Sequence, residues 1–118
     1  MFQFVCYPKC STCQKAQKWL AEQGIDYTLR DIKNNNPTLT ELTNWHSMSG
    51  LPVKKLVNTS GLLYRSLDLK NKLPQMTQEE ILALLATNGM LVKRPLLIGE
   101  DFVLVGFREE EWREKLTQ

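Results

Sequence analysis

The chain has 118 residues, 42% hydrophobic and 24% charged, and its 15 basic and 13 acidic side chains give a formal net charge of +2. This composition is typical of a globular protein and excludes a disordered or fibrous chain. There is no Lys/Arg-rich block, no apolar run long enough for a membrane and no secretory signal pattern. We therefore expect one cytoplasmic domain over residues 1–118, with no direct nucleic-acid contact and no membrane contact.

The first third of the chain predicts a strand, a helix and a second strand. Apolar residues Phe2–Cys6 form a short strand that ends at a proline, which cannot donate a hydrogen bond to a sheet. Ser11 and Gln14 fit a capping box at the start of an amphipathic helix, which Gly24 ends. Residues 25–32 then alternate apolar and polar side chains, which is the period of a strand.

Helical patterns fill the middle of the chain. Capping boxes begin at Thr38 and at Thr77, and each precedes apolar residues at helical spacing. We expect the first of these helices to end at Gly50 and the second at Gly89, because glycine adopts the left-handed conformation of a helix end. Short helical pieces are predicted between them.

The last third of the chain predicts a hairpin and a terminal helix. Two apolar runs, Leu96–Ile98 and Phe102–Val105, are separated by a three-residue loop, which is typical of a β-hairpin. Residues 109–116 form a helix whose acidic first turn suits the helix dipole. The order βαβ, helices, ββα therefore predicts an α/β fold.

Three cysteines, Cys6, Cys10 and Cys13, lie within eight residues, and the chain has no others. In the cytosol such pairs are more often catalytic, redox-sensing or metal-binding than structural. Cys10 stands at the start of the predicted helix, where the dipole and free N–H groups favour a thiolate, and Lys9 adds a cation. We predict that Cys10 is a nucleophile and that Cys13, one helical turn further on, resolves its adducts as a disulfide.

Groups that bind an anion are predicted around the same helix start. Ser11 and Thr12 offer hydroxyl and backbone N–H donors. Arg94, just before the third strand, would stabilise a thiolate or an oxyanion through its fork of donors if that strand lies beside the cysteine strand. A surface arginine without a role is an equal alternative.

Other interpretations of these residues remain. Zinc normally needs four ligands, and beyond the C-x-x-C pair only Cys6 and His46 are candidates, so we predict no metal site. An inert pair of buried thiols is a further alternative, since free cysteine is often buried. We expect Cys6 to be a packing residue inside its apolar strand, and His46 to have no catalytic role.

Four short stretches occur in an order typical of one family. They are Tyr7-Pro8-Lys9-Cys10, Asn58-Thr59-Ser60-Gly61, Lys93-Arg94-Pro95 and Val105-Gly106-Phe107. With them, the chain resembles the arsenate reductase (ArsC) family, including its branch of Spx, MgsR and YusI-like proteins. The resemblance implies a thioredoxin-like fold, with a mixed four-stranded sheet and a helical insertion between the βαβ and ββα halves. It also implies that Cys10 takes the nucleophile position, Arg94 that of the anion-binding arginine, and Pro95 that of a cis-proline facing the site.

The resemblance implies two functions of different class. One is a thiol-disulfide oxidoreductase like arsenate reductase, which holds no bound cofactor and takes electrons from glutathione with glutaredoxin, or from thioredoxin. Its partner is then a redox protein or a small-molecule thiol. The other is a redox-sensing regulator like Spx, which docks on the RNA polymerase α subunit and needs no catalysis.

Three positions depart from the glutaredoxin-dependent arsenate reductases. Those enzymes carry a histidine where this chain has Cys6, and two further arginines where it has Asn58 and Gly106. Each lost guanidinium removes charge-assisted hydrogen bonds worth roughly 1.5–3 kcal/mol, which argues against efficient arsenate reduction. Cys13, in contrast, supplies the internal thiol partner typical of the redox-switch members.

Overall fold

The computed structural model describes residues 2–117 and places them around a four-stranded sheet. The strands are β1 (Phe2–Cys6), β2 (Tyr27–Asp31), β3 (Leu96–Ile98) and β4 (Val103–Val105). Their order is β2-β1-β3-β4, with β1 parallel to β2 and antiparallel to β3, and β3 antiparallel to β4. The cysteine strand β1 is therefore central, and the predicted mixed sheet is confirmed.

Helices connect and cover this sheet. They are α1 (Ser11–Glu22), α2 (Leu39–Ser49), α3 (Leu62–Ser66), α4 (Leu69–Lys72), α5 (Gln78–Leu85) and α6 (Glu109–Leu116), with short 3-10 turns at Val53–Leu56, Leu73–Gln75 and Gly89–Leu91. Helices α2 to α5 form an insertion between a βαβ half and a ββα half, which confirms the thioredoxin-like arrangement. Among residues 2–117, no helix has the length and apolar character needed to cross a membrane.

Local capping signals set the starts of α2 and α5, as predicted. The hydroxyls of Thr38 and Thr77 each accept a bond from the backbone N–H three residues on, at 3.1 Å. The carboxylates of Glu41 and Glu80 accept bonds from the cap residues' own N–H groups, at 3.0 and 2.8 Å. Gly50 ends α2 with φ of 67°, a conformation that favours glycine.

The predicted cap of α1 is wrong by one residue. Cys10, not Ser11, is the residue that precedes the helix, and no side chain caps it. The Gln14 side chain donates instead to the Pro8 carbonyl oxygen at 3.0 Å.

The predicted helix end at Gly89 is also wrong. Helix α5 stops at Leu85, and Gly89 begins a 3-10 turn that packs against the end of β2. A Cβ at Gly89 would lie 1.8 Å from the Ile32 carbonyl oxygen. Close approach of two backbone segments, rather than helix termination, requires this glycine.

Two apolar clusters pack on opposite faces of the sheet, because successive strand side chains alternate between faces. Val5 and Leu96 belong to one cluster, which the helical insertion covers. Phe4 and Cys6 belong to the other, with residues from α1 and α6. The last residue of β1 therefore points toward the helix that Cys10 precedes and that carries Cys13.

Strand β2 lies at an edge of the sheet, and its alternation does not predict burial. Leu29 is 53% exposed, whereas Arg30 on the opposite face is half-buried. The Arg30 guanidinium binds both carboxylate oxygens of Glu41, at 2.6 and 2.9 Å, and lies 5.6 Å from the centre of the Trp45 ring. This bidentate pair ties the sheet edge to α2.

The Arg30–Glu41 pair predicts a pH dependence of stability. Hydrogen bonds from Arg30 lower the pKa of Glu41 from 4.5 to about 2. A carboxyl group with a depressed folded pKa stabilises the protein above its unfolded pKa and loses that contribution as the pH falls through the folded value. Because 34% of the Glu41 side chain is exposed, screening limits the contribution to roughly 1–2 kcal/mol.

We expect urea titrations to show this contribution as a difference between wild type and Glu41→Gln. The difference in free energy of unfolding should be present near neutral pH and shrink between pH 4.5 and about 2. Glutamine can retain the capping box but removes the charge and one of the two bonds from Arg30, so the comparison measures the ionised pair. Glu79→Gln, at an exposed position of α5, is the matched control. An equal acid dependence in wild type and Glu41→Gln would contradict the prediction.

Candidate active site

The three cysteines lie where β1 ends and α1 begins. Cys6 is the last residue of β1, Cys10 precedes α1, and Cys13 lies in the first turn of that helix. Cys10 is half-buried, whereas Cys6 and Cys13 are only 1% and 0% exposed. All three thiols are free. Of the three, Cys10 is the one that a partner in solvent can reach.

A tight turn presents Cys10 at the helix start. Its N–H donates to the Tyr7 carbonyl oxygen at 2.9 Å, and its own carbonyl accepts the first helical bond, from Gln14, at 3.0 Å. The predicted anion-binding groups Lys9, Ser11 and Thr12 follow the same turn, and all three are exposed. Free N–H groups at a helix start favour negative charge on a sulfur or a bound anion.

Cys13 interacts with both of the other thiols. Its hydrogen bond to Cys6 raises the pKa of Cys13 far above its usual range, with burial adding to this, and the same bond lowers the pKa of Cys6. The Cys10 side chain also interacts with Cys13. The Tyr7 N–H donates to the Cys13 Sγ at 3.4 Å. Cys6 is buried in the core as expected, but its contact with Cys13 was missed by sequence reasoning.

Arg94 and Pro95 reach this region because β3 lies directly beside β1. The Arg94-Pro95 peptide bond is cis, as the resemblance implied, and Pro95 is buried. The Arg94 guanidinium lies 5.3 Å from the centre of the Tyr7 ring and donates to the Met90 carbonyl oxygen at 3.3 Å. Within the described residues, Arg94 therefore contacts the cysteine turn through Tyr7.

Asn58 and Gly106, which the resemblance matched with arginines of arsenate reductases, hold the backbone in place here. Asn58 is 8% exposed, and its amide donates to the Met90 carbonyl oxygen at 3.4 Å, the same oxygen that Arg94 uses. Gly106 has φ of 71°, and its carbonyl accepts the indole N–H of Trp112 at 3.0 Å. A left-handed φ disfavours an arginine at position 106.

A groove of about 520 Å³ opens beside Thr12 at the start of α1. Its volume falls in the range of small-ligand sites, roughly 300–1,000 Å³. The wall carries four cations and one carboxylate, namely Lys54, Lys55, Lys93, Arg108 and Glu111. The cations come from three separate segments, so no run of basic residues in the sequence signalled this groove. We call it the basic groove.

No cluster of three or more His, Cys, Asp or Glu side chains is arranged to hold a metal ion among residues 2–117. His46 lies half-buried on α2, between the exposed and buried faces of that helix. The chemistry that the described site offers is that of its thiols, together with the cations around them.

The sequence model of the ArsC family matches residues 6–115. The chain belongs to the ArsC family. It is 48% identical over 111 residues to the uncharacterized protein YusI of Bacillus subtilis, covering 94% of both chains. It is 28% identical over 109 residues to the global transcriptional regulator Spx 2 of Bacillus anthracis, covering 92% of this chain and 82% of the relative.

Solved structures of ArsC relatives have the same fold. An ArsC family related protein from Bacteroides fragilis superimposes with a TM-score of 0.94 and 61% identity, covering 96% of this chain and 95% of the other. A protein described as a possible arsenate reductase from Streptococcus mutans superimposes with a TM-score of 0.86 and 46% identity, covering 94% and 96%. These similarities confirm both the family and the thioredoxin-like fold inferred from the sequence.

Proposed function

We propose that this protein is a cytoplasmic thiol-disulfide redox protein, with Cys10 as nucleophile and Cys13 as resolving cysteine. The observation that carries the proposal is the pairing of an accessible thiol at a helix start with a buried thiol one turn further on. Their side chains interact, and their spacing across the first helical turn suits a disulfide between them. Membership of the ArsC family supports the same chemistry.

The proposed reaction proceeds in two exchange steps. The Cys10 thiolate attacks one sulfur of a substrate disulfide, whose other half leaves and takes up a proton, so that a mixed disulfide with Cys10 remains. Cys13 then loses its proton and attacks the Cys10 Sγ, and the second substrate thiolate leaves with that proton. The substrate gains two electrons and the protein holds a Cys10–Cys13 disulfide. Glutathione with glutaredoxin, or thioredoxin, restores both thiols.

In this proposal the remaining site residues bind the substrate and orient it toward Cys10. Lys9 and the N–H and hydroxyl groups of Ser11 and Thr12 attract an anionic substrate to the helix start. Arg94 places positive charge beside the cysteine turn, and buried Pro95 immediately precedes β3, next to the end of β1. An oxyanion such as arsenate would meet fewer guanidinium groups here than in the arsenate reductases, so a disulfide is the preferred substrate.

Turnover measurements test the proposal. Reduced protein is mixed with hydroxyethyl disulfide, and product thiol is followed with glutathione and glutaredoxin, or thioredoxin and its reductase, as donor. We expect turnover above the uncatalysed rate with at least one donor, and slower or no turnover with arsenate. Failure to reduce the disulfide with every donor would overturn the proposal.

The basic groove predicts a preference for acidic disulfides. Replacing Lys54 and Lys55 by glutamate turns two attractions for the carboxylates of an acidic disulfide into two repulsions. At about 0.35 kcal/mol for each of these four changes, a value within the range for exposed pairs, they sum to about 1.4 kcal/mol, or roughly a tenfold rise in KM for oxidised glutathione. KM for neutral hydroxyethyl disulfide should stay the same, and high salt should reduce the difference.

The matched control for this charge reversal is Lys70→Glu with Lys72→Glu. Both lysines are exposed on the short helix α4, outside the groove, and the change in net charge is identical. We expect KM for oxidised glutathione to be nearly unchanged in this control. Equal rises in KM for both double variants would assign the effect to overall charge and contradict a role for the groove.

A regulatory function is the second candidate. The observation that favours it is the similarity to proteins named as transcriptional regulators, including MgsR of Bacillus subtilis at 28% identity over 108 residues, with 92% of this chain and 84% of the relative covered. In this proposal the Cys10–Cys13 disulfide changes how the protein docks on the RNA polymerase α subunit. Pull-down of purified α subunit on reduced and oxidised protein tests it, and absence of binding in both states would overturn it.

A further inference from the structure

Cys6 is a third thiol in the site, and the two exchange steps proposed above leave it unused. It is 1% exposed and shares an apolar cluster with Cys13, which is 0% exposed. Neither sulfur faces solvent, yet Cys13 must exchange with Cys10 at the surface of the same cluster. Cys13 therefore has a possible disulfide partner on each side.

A hydrogen bond fixes the position of Cys13 beside Cys6. The Tyr7 N–H donates to the Cys13 Sγ at 3.4 Å. The Tyr7 nitrogen is separated from the Cys6 Cα by only two covalent bonds, of about 1.3 and 1.5 Å. The Cys13 Sγ thus lies against the end of β1, within about 6 Å of the Cys6 Cα.

The order of the sulfurs suits disulfide exchange. Cys6 and Cys13 share one buried cluster, Cys10 packs against that cluster, and the Cys13 side chain interacts with both, so Cys13 is the partner that the other two thiols share. Exchange needs an attacking sulfur and a leaving sulfur on the same central atom. Cys6 is placed to attack, and Cys10, at the exposed helix start, is placed to leave.

We propose that the disulfide first formed between Cys10 and Cys13 migrates inward, giving a buried Cys6–Cys13 disulfide and a free Cys10 thiol. This inference rests on the proposed function, which supplies the first disulfide. The Cys6 thiolate attacks the Cys13 Sγ, the Cys10–Cys13 bond breaks, and Cys10 leaves with the electron pair and takes up the proton lost by Cys6. One disulfide and one thiol are present before and after, so no further oxidant is needed.

Migration has a chemical consequence for the site. Two oxidising equivalents are held in the core, where external thiols have little access, while the accessible nucleophile is regenerated. The oxidised protein can then form a mixed disulfide through Cys10 with a second thiol partner. Without migration, the oxidised protein has no accessible thiol among its three cysteines.

Trypsin distinguishes the two disulfides, because Lys9 separates Cys6 from the other two cysteines. Full-length protein is oxidised with hydroxyethyl disulfide, sampled over time, quenched in acid, alkylated and digested without reduction. A Cys10–Cys13 bond stays within the peptide of residues 10–15, whereas a Cys6–Cys13 bond joins it to the peptide of residues 1–9. We expect the internal bond at early times and the joined peptides at later times. Fragment-ion spectra of the joined peptides should then locate the alkyl group on Cys10.

Each of the other possible peptide patterns would contradict a specific part of the proposal. An internal bond that persists, with the alkyl group on Cys6, would overturn migration and leave the proposed function intact. Absence of any disulfide would overturn both. Joined peptides with the bond at Cys10 would also overturn migration, since Cys13 would then be free.

Cys6→Ala and Cys10→Ser are the matched variants. In Cys6→Ala the internal disulfide should accumulate, and the oxidised protein should lose its single alkylation site. In Cys10→Ser the joined peptides should form far more slowly than in wild type, because oxidation enters through Cys10. Unchanged formation in Cys10→Ser would overturn the order of steps. Far-UV circular dichroism of both variants checks that they are folded.

Discussion

Replacing Cys10 by serine is expected to reduce turnover of hydroxyethyl disulfide to the uncatalysed rate. A serine hydroxyl is not ionised near neutral pH and cannot form a mixed disulfide, so the first exchange step is lost. Cys6 and Cys13 cannot replace it readily, because they are 1% and 0% exposed. The measurement is the coupled assay with purified variant and wild type at equal concentration.

Cys13→Ser is the matched control, because it removes a thiol from the same helix start but leaves the first step intact. The mixed disulfide on Cys10 should then accumulate, and intact-mass spectrometry should detect the added half of the substrate. External glutathione is expected to release it slowly. Cys10→Ser with near wild-type activity, or Cys13→Ser without a trapped adduct, would show that the assigned roles of Cys10 and Cys13 are wrong.

Much of the fold could be predicted because its signals are local. The capping boxes at Thr38 and Thr77 depend on residues three apart, and both are confirmed. The terminal helix begins and ends at the predicted residues, Glu109 and Leu116. Where a glycine signal failed, at Gly89, the cause is a tertiary contact with Ile32 that no local pattern contains.

The candidate site could be predicted only in part. The exposure of Cys10 follows from its place between a strand and a helix, which the sequence indicates. The contact of Cys6 with Cys13 depends on how closely α1 packs on β1, and helical spacing predicts a face but not that distance. The stacking of Arg94 on Tyr7 requires β3 to pair with β1, and sequence alone left that pairing open.

The basic groove could not be predicted either, because its residues lie far apart in the sequence. Its cations lie on the 3-10 turn after α2, before β3 and before α6, so more than 50 residues separate the first from the last. No short stretch of the sequence is rich enough in lysine and arginine to indicate a basic site. The sheet order β2-β1-β3-β4 brings the ends of β3 and β4 to the start of α1, and the bridge between Val57 and Val92 holds the turn with Lys54 and Lys55 beside Lys93.

Replacing Trp112 by alanine is expected to lower the free energy of unfolding by about 3–5 kcal/mol. The indole is 0% exposed and lies edge-on to three other aromatic rings, with centroids 5.0 to 6.4 Å away. Those rings belong to β1, to α1 and to the segment before α6. Trp112 therefore links the cysteine strand and helix to one wall of the basic groove, and urea denaturation measures its contribution.

Phenylalanine substitutions separate packing from hydrogen bonding. Trp112→Phe keeps an aromatic ring but removes the N–H that binds the Gly106 carbonyl, which we expect to cost about 1–3 kcal/mol beyond the loss of ring volume. Trp19→Phe is the matched control, since the buried Trp19 indole N–H has no hydrogen-bond partner among residues 2–117. Trp112→Phe should therefore destabilise more than Trp19→Phe. Equal losses would show that the bond to Gly106 contributes little, and that ring packing alone holds the groove wall.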